Sequence, residues 1–188
     1  MDLILDSTIA APSAPPRFAT ISELLDTPEP EEIATRPLLS GEIDDLDRSF
    51  DLPALRAIAG RTRVWLAEHH LGPGDTVALL RLPDASELPL AALLLGLLAC
   101  GVRVLLTTGF EIPDLERLLR LARVRRVLIA PCSRPSEQQR RARSALARLC
   151  AAIDTPLSAP ASELLDGDEA GQAAPGARAP SPSALLFT

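Results

Sequence analysis

The 188-residue chain contains no lysine; all nineteen of its basic residues are arginine. That absence excludes a Walker-type phosphate loop, which ends in Gly-Lys-Ser/Thr, the lysine of protein kinases, and every Schiff-base mechanism. Tyrosine is missing too, and with one Trp and four Phe the aromatics make up only 3% of the chain. The interior must then be built from Leu, Ala, Val and Ile, which favours helices on a sheet over an aromatic-rich β-sandwich. The three cysteines, Cys100, Cys132 and Cys150, are widely spaced and form no CxxC. This excludes a cysteine-pair zinc or redox motif and suits a reducing compartment. No basic region precedes the short apolar run in Met1–Asp6, so a secretory signal is not expected and the cytoplasm is the default location. Positive charge is also in deficit: 25 acids against 19 arginines leave a net charge of −6, which argues against a nucleic-acid partner.

What is present is enough for one core. Apolar residues make up 47% of the chain, and its length suits a single domain. The run Leu88–Val102 carries no charge over 15 residues. It falls short of the roughly 18 that a spanning helix needs, so it is expected to be a buried helix and no membrane span is expected.

Residues 1–47 are punctuated by Pro12, Pro15, Pro16, Pro28, Pro30 and Pro37 and carry the acidic cluster Glu29, Glu31 and Glu32. They are expected to form a loose, acidic lead-in with one short helix, Ile21–Leu25, capped by Thr20 or Ser22. Regular structure is expected from Ser49. The spacing of Leu55, Ile58, Ala59, Trp65 and Leu66 predicts a helix over 53–70, stopped by Leu71-Gly72-Pro73-Gly74-Asp75. Thr76–Leu82 reads as a strand buried on both faces. Pro83–Ser86 gives a turn and a helix cap, the apolar helix runs to Cys100, and Gly101 ends it. Val102–Leu106 and Val127–Ala130 are further strands, separated by an amphipathic helix over 114–125 entered through Pro113. A last helix spans 136–153. Its arginines Arg140, Arg141, Arg143 and Arg148 lack interleaved aromatics and read as a solvated face. Residues 154–188 are rich in Ala, Pro and Ser, with a helical turn at Ser162–Asp166 and the start of a buried strand at Leu185–Thr188. The alternation of strand and helix implies a parallel α/β sheet flanked by helices, with ligands expected beyond the carboxyl ends of the strands.

Inside these residues no catalytic or metal-binding constellation stands out. His69 and His70 are adjacent, so on a helix they point about 100° apart and do not make an i, i+4 metal pair; they suit a helix end. Cys100 reads as a small core residue, as do Cys132 and Cys150. Gly72-Pro73-Gly74 is too short and too constrained to cradle a phosphate, and Gly101 and Gly109 form no nest. Asp44, Asp45 and Asp47 read as an exposed acidic loop.

Taken in order, the segments Phe50–Leu55, Leu71-Gly72-Pro73-Gly74-Asp75-Thr76-Val77 and Leu98-Ala99-Cys100-Gly101-Val102 resemble the opening core of the adenylate-forming (AMP-dependent synthetase/ligase) superfamily. Phe110–Pro131 resembles that family's next helix and strand, and Ala184-Leu-Leu-Phe-Thr188 resembles the lead into its phosphate loop, an aromatic-Thr-Ser-Gly-x-Thr-Gly sequence. Val104-Leu105-Leu106 replaces the family's frequent Val-Pro-Leu, and Leu98 stands where it often has Lys. The resemblance covers residues 48–188. It implies an N-terminal lead-in (1–47), the α/β core of an AMP-binding subdomain (48–153) and a connection to the phosphate loop (154–188). It also implies that the chain is the incomplete N-terminal segment of an ATP-dependent, carboxylate-activating ligase, which uses Mg²⁺ and passes the acyl group to coenzyme A or to an acyl or peptidyl carrier protein. Thr188 is the one position that carries over, as the edge of the ATP phosphate loop; no catalytic or metal residue does. The chain is not expected to be active without the missing remainder of the enzyme. The alternative is a truncated, non-catalytic relative, acting as an interaction module or as one half of a split adenylation enzyme. A third reading is an unrelated doubly wound binding domain.

Overall fold

The computed structural model describes residues 20–28, 30–43, 46–108, 112–130, 132, 134–159, 163–166 and 185–187. Two short helices come first, α1 (Ile21–Asp26) and α2 (Glu31–Ala34), and then an antiparallel hairpin of β1 (Leu39–Ile43) and β2 (Leu46–Phe50). The core follows as α3 (Leu52–Glu68), β3 (Thr76–Arg81), α4 (Glu87–Ala99), β4 (Arg103–Thr108), α5 (Ile112–Leu121), β5 (Arg126–Ile129), α6 (Glu137–Ala152), β6 (Leu157–Ser158), α7 (Glu163–Asp166) and β7 (Leu185–Phe187). The five later strands form one sheet in the order β6-β5-β3-β4-β7, and every pairing is parallel. The expected parallel α/β sheet flanked by helices is thus what the chain forms.

Strand alternation decides which helix goes where. Val77, Leu79, Val104 and Leu128 face α3 and α4 in one apolar layer, which also takes in Leu25, Leu164 and Leu165. Ala78, Leu80, Leu105, Val127 and Ile129 face α5 and α6 in the other. Each side chain points opposite to the next along a strand, so an unbroken apolar strand can be covered only by helices on both sides. The uncharged run sits where its composition places it: α4 buries eight of its residues. Among the described residues no helix is long and apolar enough to cross a membrane.

The lead-in differs from expectation. Regular structure begins well before Ser49, because β1 and β2 pair along their whole length and Gly41 lies close to the Leu88 side chain. Arg56 donates to the carbonyls of Leu25 and Thr27, fixing α1 to α3. Thr20 caps α1 by accepting from the Glu23 amide at 3.0 Å. Ser86 stands at the N-cap of α4, but its hydroxyl donates to the Glu42 carbonyl instead of capping, which ties the hairpin to the core. Asp44 and Asp45 lie outside the described residues, and Asp47 is on β2. Helix α5 stops four residues earlier than its spacing suggests, since Arg123 takes a left-handed conformation (φ 50°) and its amide closes the turn on the Arg120 carbonyl.

Helices α3 and α4 approach most closely at Gly96. A Cβ there would lie 2.9 Å from Thr62 Oγ1 and 3.3 Å from Ile58 Cγ2. Thr62 is fully buried and its hydroxyl has no hydrogen-bond partner among the described residues. Gly96→Ala gains about 1 kcal/mol in helix propensity but overpacks a rigid contact at about 1–3 kcal/mol. The net expectation is a lower melting temperature. Adding Thr62→Ala removes both the clash and the unsatisfied hydroxyl, and is expected to restore stability to at least the starting value. A rise in melting temperature on Gly96→Ala alone would contradict the close approach.

At the amino end of the sheet, the Leu71–Asp75 turn is a clamp. Asp75 accepts from the Gly72 amide at 2.9 Å and from Arg125 Nη1 at 2.8 Å, and Arg103 Nε donates to the Gly74 carbonyl at 2.9 Å. Gly74 (φ 86°) and Gly101 (φ 75°) both need left-handed backbone, and they meet through a 3.0 Å bond from the Gly74 amide to the Gly101 carbonyl. Partial burial raises the Asp75 pKa, but the bonds from Arg125 and Gly72 and the charges of Arg125 and Arg103 outweigh it, holding it below the ordinary 3.8. A carboxylate with a depressed folded-state pKa adds stability above its unfolded pKa and loses it as pH falls through the folded value. Asp75→Asn is therefore expected to be less stable than the parent at pH 7. The gap between their denaturation midpoints should close below about pH 4; a gap that stays constant from pH 7 to 3 would exclude the ionised contact.

Candidate functional site

The carboxyl edge of the sheet is where the topology opens a crevice. From β3 the chain leaves to α4 on one face, whereas from its neighbours β4 and β5 it leaves to α5 and α6 on the other. Open parallel sheets bind ligands where such connections diverge. The described part of this edge is formed by Arg81 to Ser86, by Thr107, and by Ala130, Cys132 and Arg134 to Gln139.

Gln139 pins it together. This residue is buried, and its Nε2 donates to the Pro83 carbonyl at 2.7 Å while its Oε1 accepts from the Ser136 amide at 2.8 Å. Ser136 Oγ in turn accepts from the Gln139 amide, completing a capping box at the start of α6. The Cys132 thiol lies 3.4 Å from the same Oε1. One amide side chain therefore fixes the loop after β5 against the loop after β3, on either side of the divergence. Arg81 closes the β3 loop, donating to the Ala85 carbonyl at 3.1 Å and pairing with Glu87 at 3.2 Å. Asp84 there takes a left-handed conformation (φ 56°). Thr107 is fully buried next to Leu80, and its hydroxyl has no partner among the described residues. Strand β7 joins β4 in parallel, with Phe187 opposite Leu106. The carboxyl end of β7 thus lies at this same edge.

The residues singled out from the sequence fall as follows. Thr188 and Gly109 lie outside the described residues. His69 ends α3, its Nδ1 is 2.8 Å from the Trp65 carbonyl, and its ring stacks on Trp65 with centroids 4.2 Å apart. Cys100 and Cys150 are buried in the two apolar layers. Burial pushes the Cys100 thiol up to about 11 despite the nearby Arg63, so it is an inert core group. Cys132, expected to be a core residue as well, is half-buried at the edge, and all three thiols are free. Gly72–Gly74 is at the opposite end of the sheet, in the Asp75 clamp. Among the described residues, no group of three His, Cys, Asp or Glu gathers to hold a metal ion.

Gln139 and Thr107 were not picked out from the sequence. The Ser136-x-x-Gln139 pattern signals a capping box; the third bond of Gln139, to Pro83, has no local signature.

This arrangement is the fold of the N-terminal subdomain of adenylate-forming enzymes. Solved structures that share it include an acyl-CoA synthetase from Brucella canis (TM-score 0.56, 20% identity, covering 87% of this chain and 26% of that one). The N-terminal subdomain of Klebsiella oxytoca NpsA, in complex with 3-hydroxyanthranilyl-AMSN, matches with TM-score 0.55 and 14% identity over 88% of this chain and 35% of that one. ATP-bound MatB from Rhodopseudomonas palustris matches with TM-score 0.52 and 18% identity over 79% and 26%. The chain therefore spans between about a quarter and a third of the structures it resembles. No protein-family model and no curated protein sequence matches it.

The bridge through Gln139 can be broken without changing side-chain length. Gln139→Met is expected to lower stability by about 1–3 kcal/mol through the unpaired Pro83 carbonyl and Ser136 amide. Gln139→Glu should lose more at neutral pH, since a carboxylate would face the Pro83 carbonyl. Chemical denaturation of the three proteins measures this, and equal stability would show that the two loops are not joined through this amide.

Proposed function

We propose that the chain is the N-terminal part of an ATP-dependent, carboxylate-activating ligase. The observation that carries this reading is the agreement of two independent lines: the ordered motifs from Phe50 to Thr188, and a fold shared with acyl-CoA synthetases and adenylation enzymes. In this reading residues 1–47 are the lead-in, 48–153 the α/β core of the AMP-binding part, and 154–188 the connection into the phosphate loop. Thr188, which follows β7 in the sequence, is in this reading the first edge of that loop.

When bound, ATP would supply the adenylyl group that activates the acid, with Mg²⁺ carried on its phosphates. The residues of this chain do the positioning. The Asp75 clamp sets the register of β3 and β4, Gln139 fixes the two loops beside the divergence, and β7 ends at the same edge. Positioning of this kind lowers the entropic barrier to attack on the α-phosphate. Charge stabilisation would come from elsewhere, because Arg81 is already committed to Glu87 and Ala85. The acyl group would then pass to coenzyme A or to a carrier protein, in the cytoplasm.

The complete reading frame that carries these residues should be expressed and assayed for ATP–pyrophosphate exchange with a panel of carboxylic acids. Acid-dependent exchange, with Ser-Gly-x-Thr-Gly encoded directly after Thr188, is the expected result. A frame ending at Thr188 whose product gives no exchange would overturn the ligase reading. Co-purification of a second chain bearing the loop would then identify the split enzyme.

A further inference from the structure

The arginines are not spread evenly. Residues 112–154 hold ten arginines against four acids, whereas the remainder holds nine against twenty-one. On α6 alone such a run is a solvated helix face, but the fold brings a second helix beside it. Helices α5 and α6 cover the same side of the sheet and touch each other. Each connects two parallel strands, so they run side by side in the same direction.

Their outward surface has a definite pattern. Arg120 pairs with Glu116, Arg140 and Arg141 share Glu137, and Arg125 is held by Asp75. Arg117, Arg123, Arg134, Arg143 and Arg148 are exposed and have no carboxylate partner among the described residues. In the same surface Leu121 is 75% exposed. Arg117 and Leu121 are four residues apart and share one stripe of α5, while Arg141 and Arg148, seven apart, share one stripe of α6. The surface thus offers an apolar knob with a guanidinium on the same stripe of α5, beside a parallel helix whose outer stripe carries two more.

We propose that the outward face of α5 and α6 docks an acidic helical segment of another protein, with Leu121 as the apolar anchor and Arg117, Arg141 and Arg148 as the charged clasp. Charge complementarity selects this occupant. Guanidinium groups pair bidentately with carboxylates, and two adjacent helices leave a groove that takes a third. A duplex nucleic acid presents an extended line of negative charge that would run beyond this patch onto a remainder with nine arginines against twenty-one acids, whereas a short acidic helix can stay within the patch. An anionic membrane would need more exposed apolar surface than Leu121 and Ile112 provide. The proposal stands apart from the ligase reading, since it rests on helices that face away from the α3–α4 layer and uses no nucleotide.

The test is fluorescence anisotropy with a labelled helical peptide of alternating Glu- and Leu-bearing turns, with a short DNA duplex and phosphatidylserine vesicles as competing probes at the same salt. The peptide is expected to bind most tightly, and more weakly as salt rises. Reversing Arg141→Glu and Arg148→Glu together, or changing Leu121→Ser, should weaken it by about tenfold or more. Arg48→Glu on the hairpin, a reversal of equal sign elsewhere, should leave it within about twofold. Thermal unfolding should shift little in all variants, because among the described residues the one ion pair these side chains make is the exposed Arg141–Glu137 contact. Tighter binding of DNA or vesicles than of peptide, or peptide binding that ignores the helix variants, would overturn the proposal.

Discussion

Val77, Ala78 and Leu79 are wholly excluded from water on consecutive positions of one strand, and most of the architecture answers to that. A strand with no wet face demands a neighbour on each edge and a helix layer on each side. The chain meets the demand with β4 and β5 flanking β3, α3 and α4 above, and α5 and α6 below. Because the strands are parallel, every connection must cross back over the sheet, so all the carboxyl ends gather at one edge. The crevice proposed to receive a nucleotide is a by-product of burying three apolar residues.

The two ends of the sheet are held by different chemistry. At the amino end an ionised carboxylate and two guanidinium groups tie strand-entry loops, and backbone groups of two left-handed glycines meet directly. At the carboxyl end the tie is one neutral amide, Gln139, reaching carbonyl, amide and thiol. Helix α7 is secured from further away, by Arg61 donating to the carbonyls of Leu164 and Leu165, each at 3.0 Å.

Most of the core elements were legible in the sequence because their signals are local. Glycine and proline mark the ends of α3 and α4, unbroken Val/Leu runs mark β3, β4 and β5, and the arginine-rich helices have a clear apolar stripe. The hairpin was hidden for a physical reason: β1 and β2 read Leu-Ser-Gly-Glu-Ile and Leu-Asp-Arg-Ser-Phe, and carry too few apolar side chains to stand out from an acidic loop. What holds them is long-range, the Ser86 hydroxyl and the approach of Gly41 to Leu88. The end of α5 was misplaced because a left-handed arginine leaves no compositional mark. At the candidate site the carboxyl edge was expected from the alternation of strand and helix, but the divergence beside β3, the Thr107 hydroxyl without a partner among the described residues and the Gln139 bridge depend on groups far apart in the chain.

The pairing of β7 with β4 has a kinetic side. Val104 and Leu185 are partners in the ladder, yet everything from α5 through α7 must be synthesised between them. During that interval the outer edge of β4, with Val104 and Leu105 beside it, has its ladder groups unfilled while the inner edge is already engaged by β3. Closing so long a loop is slow relative to forming the local β3-α4-β4 unit. The nascent chain therefore passes through a stage in which it presents a strand-receptive edge, and its yield on folding depends on how fast that edge is filled by its own β7 and not by another molecule's strand.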